Sequence, residues 1–260
     1  MLKGKVAIVT GSTGGIGRGI ATALATHGAD VMLNGFGDRA EIDRVAKDLE
    51  ERHSVRTGYS PADMSRPDEI RQLIADAQRL LGPVDVLVNN AGIQHVAPVE
   101  QFAEERWNAI LSINLSAAFH TTKAVLPEMK QRHWGRIVNI ASTHGLVASA
   151  GKAAYVAAKH GLVGLTKVIA IEAANDGITC NAICPGWVLT PLVQQQIAAR
   201  AKSAGVSIEA AQQDLLREKQ PMLQFTTPQQ IGALAVVLCG NATATVTGAA
   251  WPVDGGWTAQ

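Results

Sequence analysis

The chain has 260 residues, 47% of them hydrophobic and 17% charged, with a formal net charge of +1. That size and composition suit one α/β domain with a sizeable core and exclude a disordered chain. Lys and Arg number 23 against 22 Asp and Glu, without a basic run, which excludes nucleic acid as the expected partner.

The N-terminal residues show no signal-peptide pattern, and no apolar segment of membrane length is expected downstream, so the reading is of a soluble, cytoplasmic protein without a membrane partner. Cys180, Cys184 and Cys239 lie in apolar stretches without zinc-ligand spacing, so reduced core thiols and no metal are expected.

The first strand is predicted over Val6 to Thr10, and Gly11-Ser12-Thr13-Gly14-Gly15-Ile16-Gly17 leads into a helical pattern from Arg18 to His27. Strand, glycine turn and helix start form the context of a dinucleotide site, where backbone approaches a pyrophosphate and the helix offers free N–H groups. A second strand, Asp30 to Asn34, ends in Gly35-Phe36-Gly37-Asp38. That end carries neither the carboxylate that holds a ribose 2′-hydroxyl nor the basic residue that holds a 2′-phosphate. Phe36 is read as lying against adenine, and a glycine turn without a basic residue points to NAD. A helix over about Arg39 to His53 and a strand over Val55 to Ser60 lead to Asp63, which either accepts from the adenine amino group or serves as a turn or N-cap residue.

A helix over about Asp68 to Leu81 precedes the fully apolar strand Val84 to Val88, of the kind parallel sheets bury. Asn89-Asn90-Ala91-Gly92 closes it, with backbone free to pass a ribose and amides able to tie strands together. Helices follow over about Glu104 to Leu115 and Ser116 to Gln131. Asn114 falls mid-pattern, where asparagine competes for backbone hydrogen bonds and is expected to bend the helix or hold a water.

The strand Ile137 to Ala141 delivers the hydroxyl of Ser142 to the sheet edge. Thirteen residues later comes Tyr155 in an alanine-rich helical run, with Lys159 four residues on and on the same helix face. A neighbouring ammonium is expected to lower the phenol from its ordinary pKa of about 10 and make Tyr155 a proton carrier. A sixth strand, Ile178 to Cys184, ends at Pro185-Gly186. Residues from about 190 to 222, broken at Gly205, read as a helical lid. A helix from Pro228 to about Gly240 and a strand from Thr247 to Val253 complete the chain before Asp254-Gly255-Gly256-Trp257. The expected fold is a single domain over 1–260: a Rossmann-type, doubly wound, seven-stranded parallel α/β sheet with helices on both faces and a small helical lid.

With Thr10-Gly11-x-x-x-Gly15-x-Gly17, Asn89-Asn90-Ala91-Gly92, Asn114, Ser142, Tyr155-x-x-x-Lys159 and Pro185-Gly186 in that order, the chain resembles the short-chain dehydrogenase/reductase family over essentially its whole length. The resemblance implies that Asn114, Ser142, Tyr155 and Lys159 are catalytic, Asn114 completing a proton relay through water. It also implies a nucleotide held by Gly11, Thr13, Gly15, Ile16, Gly17, Asn90, Gly92, Tyr155, Lys159, Pro185, Gly186, Val188 and Thr190. Gln94, His144, Lys152 and Gln196 have no role in that set. Two amides, an imidazole and an ammonium without a carboxylate suit a small carboxylate substrate beside Ser142 and Tyr155, with Trp187 and Trp257 walling off its apolar remainder. Ala91 to His95, Ser142 to Ser149, Ala182 to Val188 and Glu218 to Pro221 resemble the branch of the family that acts on small hydroxy acids, which implies NAD as cofactor and a homotetramer. The alternatives are an NADPH-dependent 3-oxoacyl carrier-protein reductase, which needs an open mouth for a thioester arm, and a nucleotide-binding scaffold, which an incomplete catalytic set would signal.

Overall fold

In a computed structural model, which describes residues 1–259, one seven-stranded sheet runs in the order β3-β2-β1-β4-β5-β6-β7. Its strands are β1 (Val6–Val9), β2 (Asp30–Asn34), β3 (Thr57–Ser60), β4 (Val86–Asn89), β5 (Gly135–Ile140), β6 (Ile178–Pro185) and β7 (Ala250–Val253), and every adjacent pair is parallel. The helices are α1 (Gly15–Thr26), α2 (Arg39–His53), α3 (Pro67–Leu80), α4 (Glu104–Leu111), α5 (Ala117–Gln131), α6 (Ala153–Glu172), α7 (Pro191–Ala204), α8 (Ile208–Arg217) and α9 (Pro228–Cys239).

Strand residues alternate between two cores, as a pleat requires. Ala7, Val9, Val31, Leu33, Val86 and Val88 pack with α1, α2 and α9, while Ile8, Met32, Leu87 and Ile137 pack with α3, α5 and α6. Ile197, Ala201, Ala211 and Leu215 form a smaller core between α7 and α8, joined by Gly205 in the left-handed region. The expected lid is therefore a helical hairpin with its own apolar seam.

The main departures are local. β3 and β7 begin two and three residues later than the apolar pattern suggests, and α1 begins at Gly15 instead of Arg18. Between α4 and α5 the ladder opens into a π-helical turn, Ser112–Ser116, which contains Asn114. α6 corrects another expectation: by length and composition it is a helix apolar enough to cross a membrane. Here Leu162, Ile169 and Ala170 on that helix are buried in the cores.

Order in the sheet reverses between β1 and β4, and this is where parallel sheets open a crevice at the strand C-termini. A buried polar chain holds the strands beside it in register. Thr121 Oγ1 donates to Asn89 Oδ1 at 2.7 Å, Asn89 Nδ2 to Asn139 Oδ1 at 2.8 Å, and Asn139 Nδ2 to Thr166 Oγ1 at 2.8 Å. Asn139→Ala takes the acceptor from the buried Asn89 amide and a donor from Thr166, whose hydroxyl keeps its bond to the Leu162 carbonyl. It is expected to cost about 2 kcal/mol and to lower Tm by about 4–8 °C in calorimetry; an unchanged Tm would show that the chain is not a strut.

Candidate active site

The crevice is a cavity of about 710 Å³ whose lining includes Gly11, Gly15, Ile16, Gly17, Asn90, Gly92, Ser142, Tyr155, Lys159, Pro185, Gly186, Val188 and Thr190. The two loops at the switch point are tied to each other. Thr10 Oγ1 accepts the N–H groups of Asn90 and Ala91 at 2.9 and 3.0 Å, and Asn90 Nδ2 donates to the carbonyls of Thr10 and Gly11. Gly11 needs the left-handed region, at φ 63°, and a Cβ there would lie 3.0 Å from Ala91 Cα. Gly14 precedes α1 as its N-cap, with no side chain capping the first-turn N–H groups and no acid in that turn. Open donors behind a glycine cradle fit the pyrophosphate of a dinucleotide.

Three residues expected to touch the nucleotide, Thr13, Phe36 and Asp63, lie outside this cavity. Thr13 Oγ1 donates to the Phe36 carbonyl at 2.8 Å and so fastens the glycine turn to the end of β2. The Phe36 ring is 68% exposed. Asp63 Oδ1 accepts from Ser65 N–H at 2.7 Å, the turn role weighed against adenine contact. Asn34 explains why the end of β2 has no acid: its Oδ1 accepts from Gly11 N–H, and its Nδ2 donates to the carbonyls of Ser60 and Ala62. One amide there joins β1, β2 and the segment after β3.

Tyr155 and Lys159 lie on α6, with Lys159 Nζ 5.6 Å from the phenol ring centroid. That ammonium donates to the Ile140 carbonyl at 2.7 Å. Burial pulls its pKa down to about 8, with Cys184 opposing the shift. The expected lowering of the phenol does not occur. Burial raises Tyr155 above its ordinary value, and a hydrogen bond with Ser142 offsets this only in part. Desolvation penalises both charged forms, and here it outweighs the attraction that helix spacing suggested.

Asn114 is buried and is not among the residues that line the main cavity. Its Oδ1 accepts from Ile93 N–H at 2.8 Å and its Nδ2 donates to the Ile93 carbonyl at 2.9 Å. It lines a separate void of about 10 Å³ with Thr10, Ala117 and Leu162, room for about one water.

Gln94, His144, Lys152, Gln196, Trp187 and Trp257 all line the main cavity. The Trp187 and Trp257 rings lie tilted by 33° with centroids 6.2 Å apart, and Lys152 Nζ lies 6.0 Å from the Trp187 ring. Burial lowers the Lys152 pKa. Both ring nitrogens of His144 have a hydroxyl neighbour: Nδ1 lies 3.3 Å from Ser142 Oγ and Nε2 3.0 Å from Ser149 Oγ. Burial, then the charges of Lys152, Lys219 and His160, push its pKa down to about 4, so the ring is neutral at pH 7. Leu192 and Val193 at the start of α7 add an apolar wall that the sequence reading did not single out. Its signal was Thr190-Pro191, which caps and starts that helix over the crevice.

Residues 5–201 match the family described as short chain dehydrogenase. The chain is 58% identical to the D-beta-hydroxybutyrate dehydrogenase of Cupriavidus necator, covering 100% of both proteins. It is 48% identical to the protein of the same name from Rhizobium meliloti, over 98% of this chain and 99% of that one. Among solved structures, L-sorbose reductase from Gluconobacter frateurii, complexed with NADPH and L-sorbose, matches 100% of this chain and 98% of its own with a TM-score of 0.95 at 28% identity. An actinorhodin polyketide ketoreductase variant with NADPH gives a TM-score of 0.90 at 37% identity, over 99% of each chain. The likeness extends through the full length and is not confined to shared glycines; the protein thus belongs to the short chain dehydrogenase family of pyridine-nucleotide oxidoreductases.

Proposed function

We propose that the protein interconverts (R)-3-hydroxybutyrate and acetoacetate with NAD. The observation that carries this reading is the cavity's donor set: Lys152, Gln94 and Gln196 with no carboxylate among the lining residues. Such a set holds a small anion through charge-assisted hydrogen bonds and repels no part of it. The two dehydrogenases of that name, aligned over nearly their full lengths, support the same substrate. NAD is supported by the end of β2, where Asn34 to Gly37 offer no cation for a 2′-phosphate and the nearby Arg39 is paired with Asp43 at 2.8 Å.

When bound, the nicotinamide gives or takes the hydride. Tyr155, held protonated by burial, donates to the carbonyl oxygen as the alcohol forms. Ser142 orients that oxygen, Lys159 holds the nicotinamide ribose, and Asn114 keeps the Ile93 loop in place beside a water-sized void. Trp187 and Trp257 exclude water from the methyl end. We read the protein as a single-domain cytoplasmic homotetramer, supported by its buried free cysteines and by the exposed Phe119, Val168 and Ile171 on α5 and α6; light scattering of the purified protein tests the assembly.

Acetoacetate with NADH is expected to be turned over far faster than an acetoacetyl thioester with NADPH, and the opposite preference in steady-state assays would reject the substrate assignment. Lys152→Ala is expected to raise KM for acetoacetate about 10- to 100-fold with little change in kcat, since it removes a charge-assisted contact and leaves the reacting atoms alone. A large fall in kcat at unchanged KM would place Lys152 elsewhere in the chemistry.

A further inference from the structure

Trp187 and Trp257 come from two separate turns, one after β6 and one after β7, and a single side chain packs against both. Gln220 stands just past α8 on the chain's return from the lid and is 2% exposed. A Cβ at Gly186 would lie 3.1 Å from Gln220 Oε1, and one at Gly255 would lie 2.6 Å from its Cγ and 2.7 Å from its Nε2. Bare glycine backbone on the two tryptophan turns therefore leaves the space that this side chain fills.

The amide is fixed at its other end. Nε2 donates to the carbonyls of Met222 at 3.1 Å and Gln224 at 2.5 Å. Turning the amide over would set its oxygen against those two carbonyl oxygens, so the orientation is determined. Oε1 is thereby left buried with no hydrogen-bond partner among the described residues. A bare buried acceptor costs stability, which sets Gln220 apart from an ordinary packing residue. The turn folded around the amide also reaches both tryptophan segments through backbone. Met222 N–H donates to the Gly255 carbonyl at 2.9 Å, Thr226 N–H to the Trp187 carbonyl at 3.0 Å, and Leu189 N–H to the Thr226 carbonyl at 2.8 Å.

We infer that Gln220 is a positioning residue for substrate selection: by holding the Trp187 and Trp257 segments at one spacing, it sets the length of acid that the pocket accepts. The inference deepens the reading above, in which the tryptophans close the methyl end, and rests on it. The two rings line the cavity with centroids 6.2 Å apart, so a small shift of either segment opens room beyond the methyl group. Gln220 itself is not among the lining residues. Changing it should therefore alter which chain length is accepted more than how fast a bound acid reacts.

The test is the ratio of kcat/KM for 3-oxohexanoate to that for acetoacetate, both with NADH. Wild type is expected to favour acetoacetate. Gln220→Ala is expected to raise the ratio about tenfold or more, the low end of what one methylene is worth in an apolar pocket. The change should appear in KM, with kcat for acetoacetate and nucleotide affinity little altered. A residue that only holds the lid together would weaken both substrates alike and leave the ratio where it was. Gln220→Met keeps the volume and is expected to keep the wild-type ratio. A Gln220→Ala enzyme that binds nucleotide normally and retains the wild-type ratio overturns the inference, as does a Gln220→Met enzyme shifted as far as Gln220→Ala. If Gln220→Ala does not fold, Gln220→Asn, one methylene shorter, carries the same expectation and the same refutation. Circular dichroism of the indole pair needs no substrate: the signal that Trp187→Phe removes is expected to shrink in Gln220→Ala, and its full retention also overturns the inference. Should wild type reduce neither acid, the substrate reading fails, and that signal still decides whether Gln220 holds the pair.

Discussion

Tyr155→Phe is expected to lower kcat by about 10²- to 10⁴-fold, the range a positioned general acid contributes, while nucleotide affinity stays nearly unchanged. The phenol is the proton donor in the proposed chemistry, and the substitution removes one oxygen while keeping the ring that packs against His144 at 5.9 Å. Burial favours the protonated form of Tyr155, so the donor is ready at neutral pH and the loss should appear across the pH range and not at one limb. NADH fluorescence titration and steady-state kinetics on the same preparation separate binding from chemistry. A variant retaining a tenth or more of wild-type turnover would remove Tyr155 from the reaction.

Gly17→Ala is expected to be nearly as damaging by another route. A Cβ at Gly17 would sit 2.2 Å from the Gly11 carbonyl oxygen and 2.5 Å from Asn90 Nδ2. Neither neighbour can move freely, since Asn90 Nδ2 is itself bonded to the carbonyls of Thr10 and Gly11. Forcing a methyl into such packing costs about 1–3 kcal/mol. Displacing the cradle by about 1 Å is worth about 10²-fold in a positioned reaction, so weaker nucleotide binding and lower kcat/KM should accompany a lower Tm. Gly14→Ala is the control for stability, because nothing lies within 4 Å of a Cβ there. Equal Tm values for the two variants would contradict the close approach.

The order of strands and helices was legible because β1, β2, β4, β5 and β6 are short apolar runs separated by glycine, asparagine or proline turns, each a local signal. β3 was blurred because Val55 and Arg56 continue its pattern although the strand begins at Thr57. The placement of Ser142, Tyr155 and Lys159 in one crevice was also legible, since spacing along a helix and position at a strand end are geometric. The sign of the Tyr155 shift was not. Helix spacing brings a cation near but says nothing of how much water both groups lose. The surroundings of His144 were not legible for a related reason: a sequence shows that an imidazole is present and cannot show that Ser142 and Ser149 lie against its nitrogens. Thr13, Phe36 and Asp63 lie at the expected sheet edge beyond the lining of the cavity, and the fold-back of Thr13 onto the Phe36 carbonyl is a loop contact that no local pattern announces.

The π-helical turn at Ser112–Ser116 has a consequence for engineering this chain. Such a turn is one surplus residue in an otherwise ordinary helix. Deleting that residue would close the ladder into an α-helix whose two ends keep their phase, so Ile110 would keep its seat against Ala154 and Ala158 while the Asn114 amide would lose its grip on the Ile93 backbone. Single-residue shortening of this segment should therefore spare the core and loosen the loop that follows β4, which makes the surplus residue a handle on that loop alone.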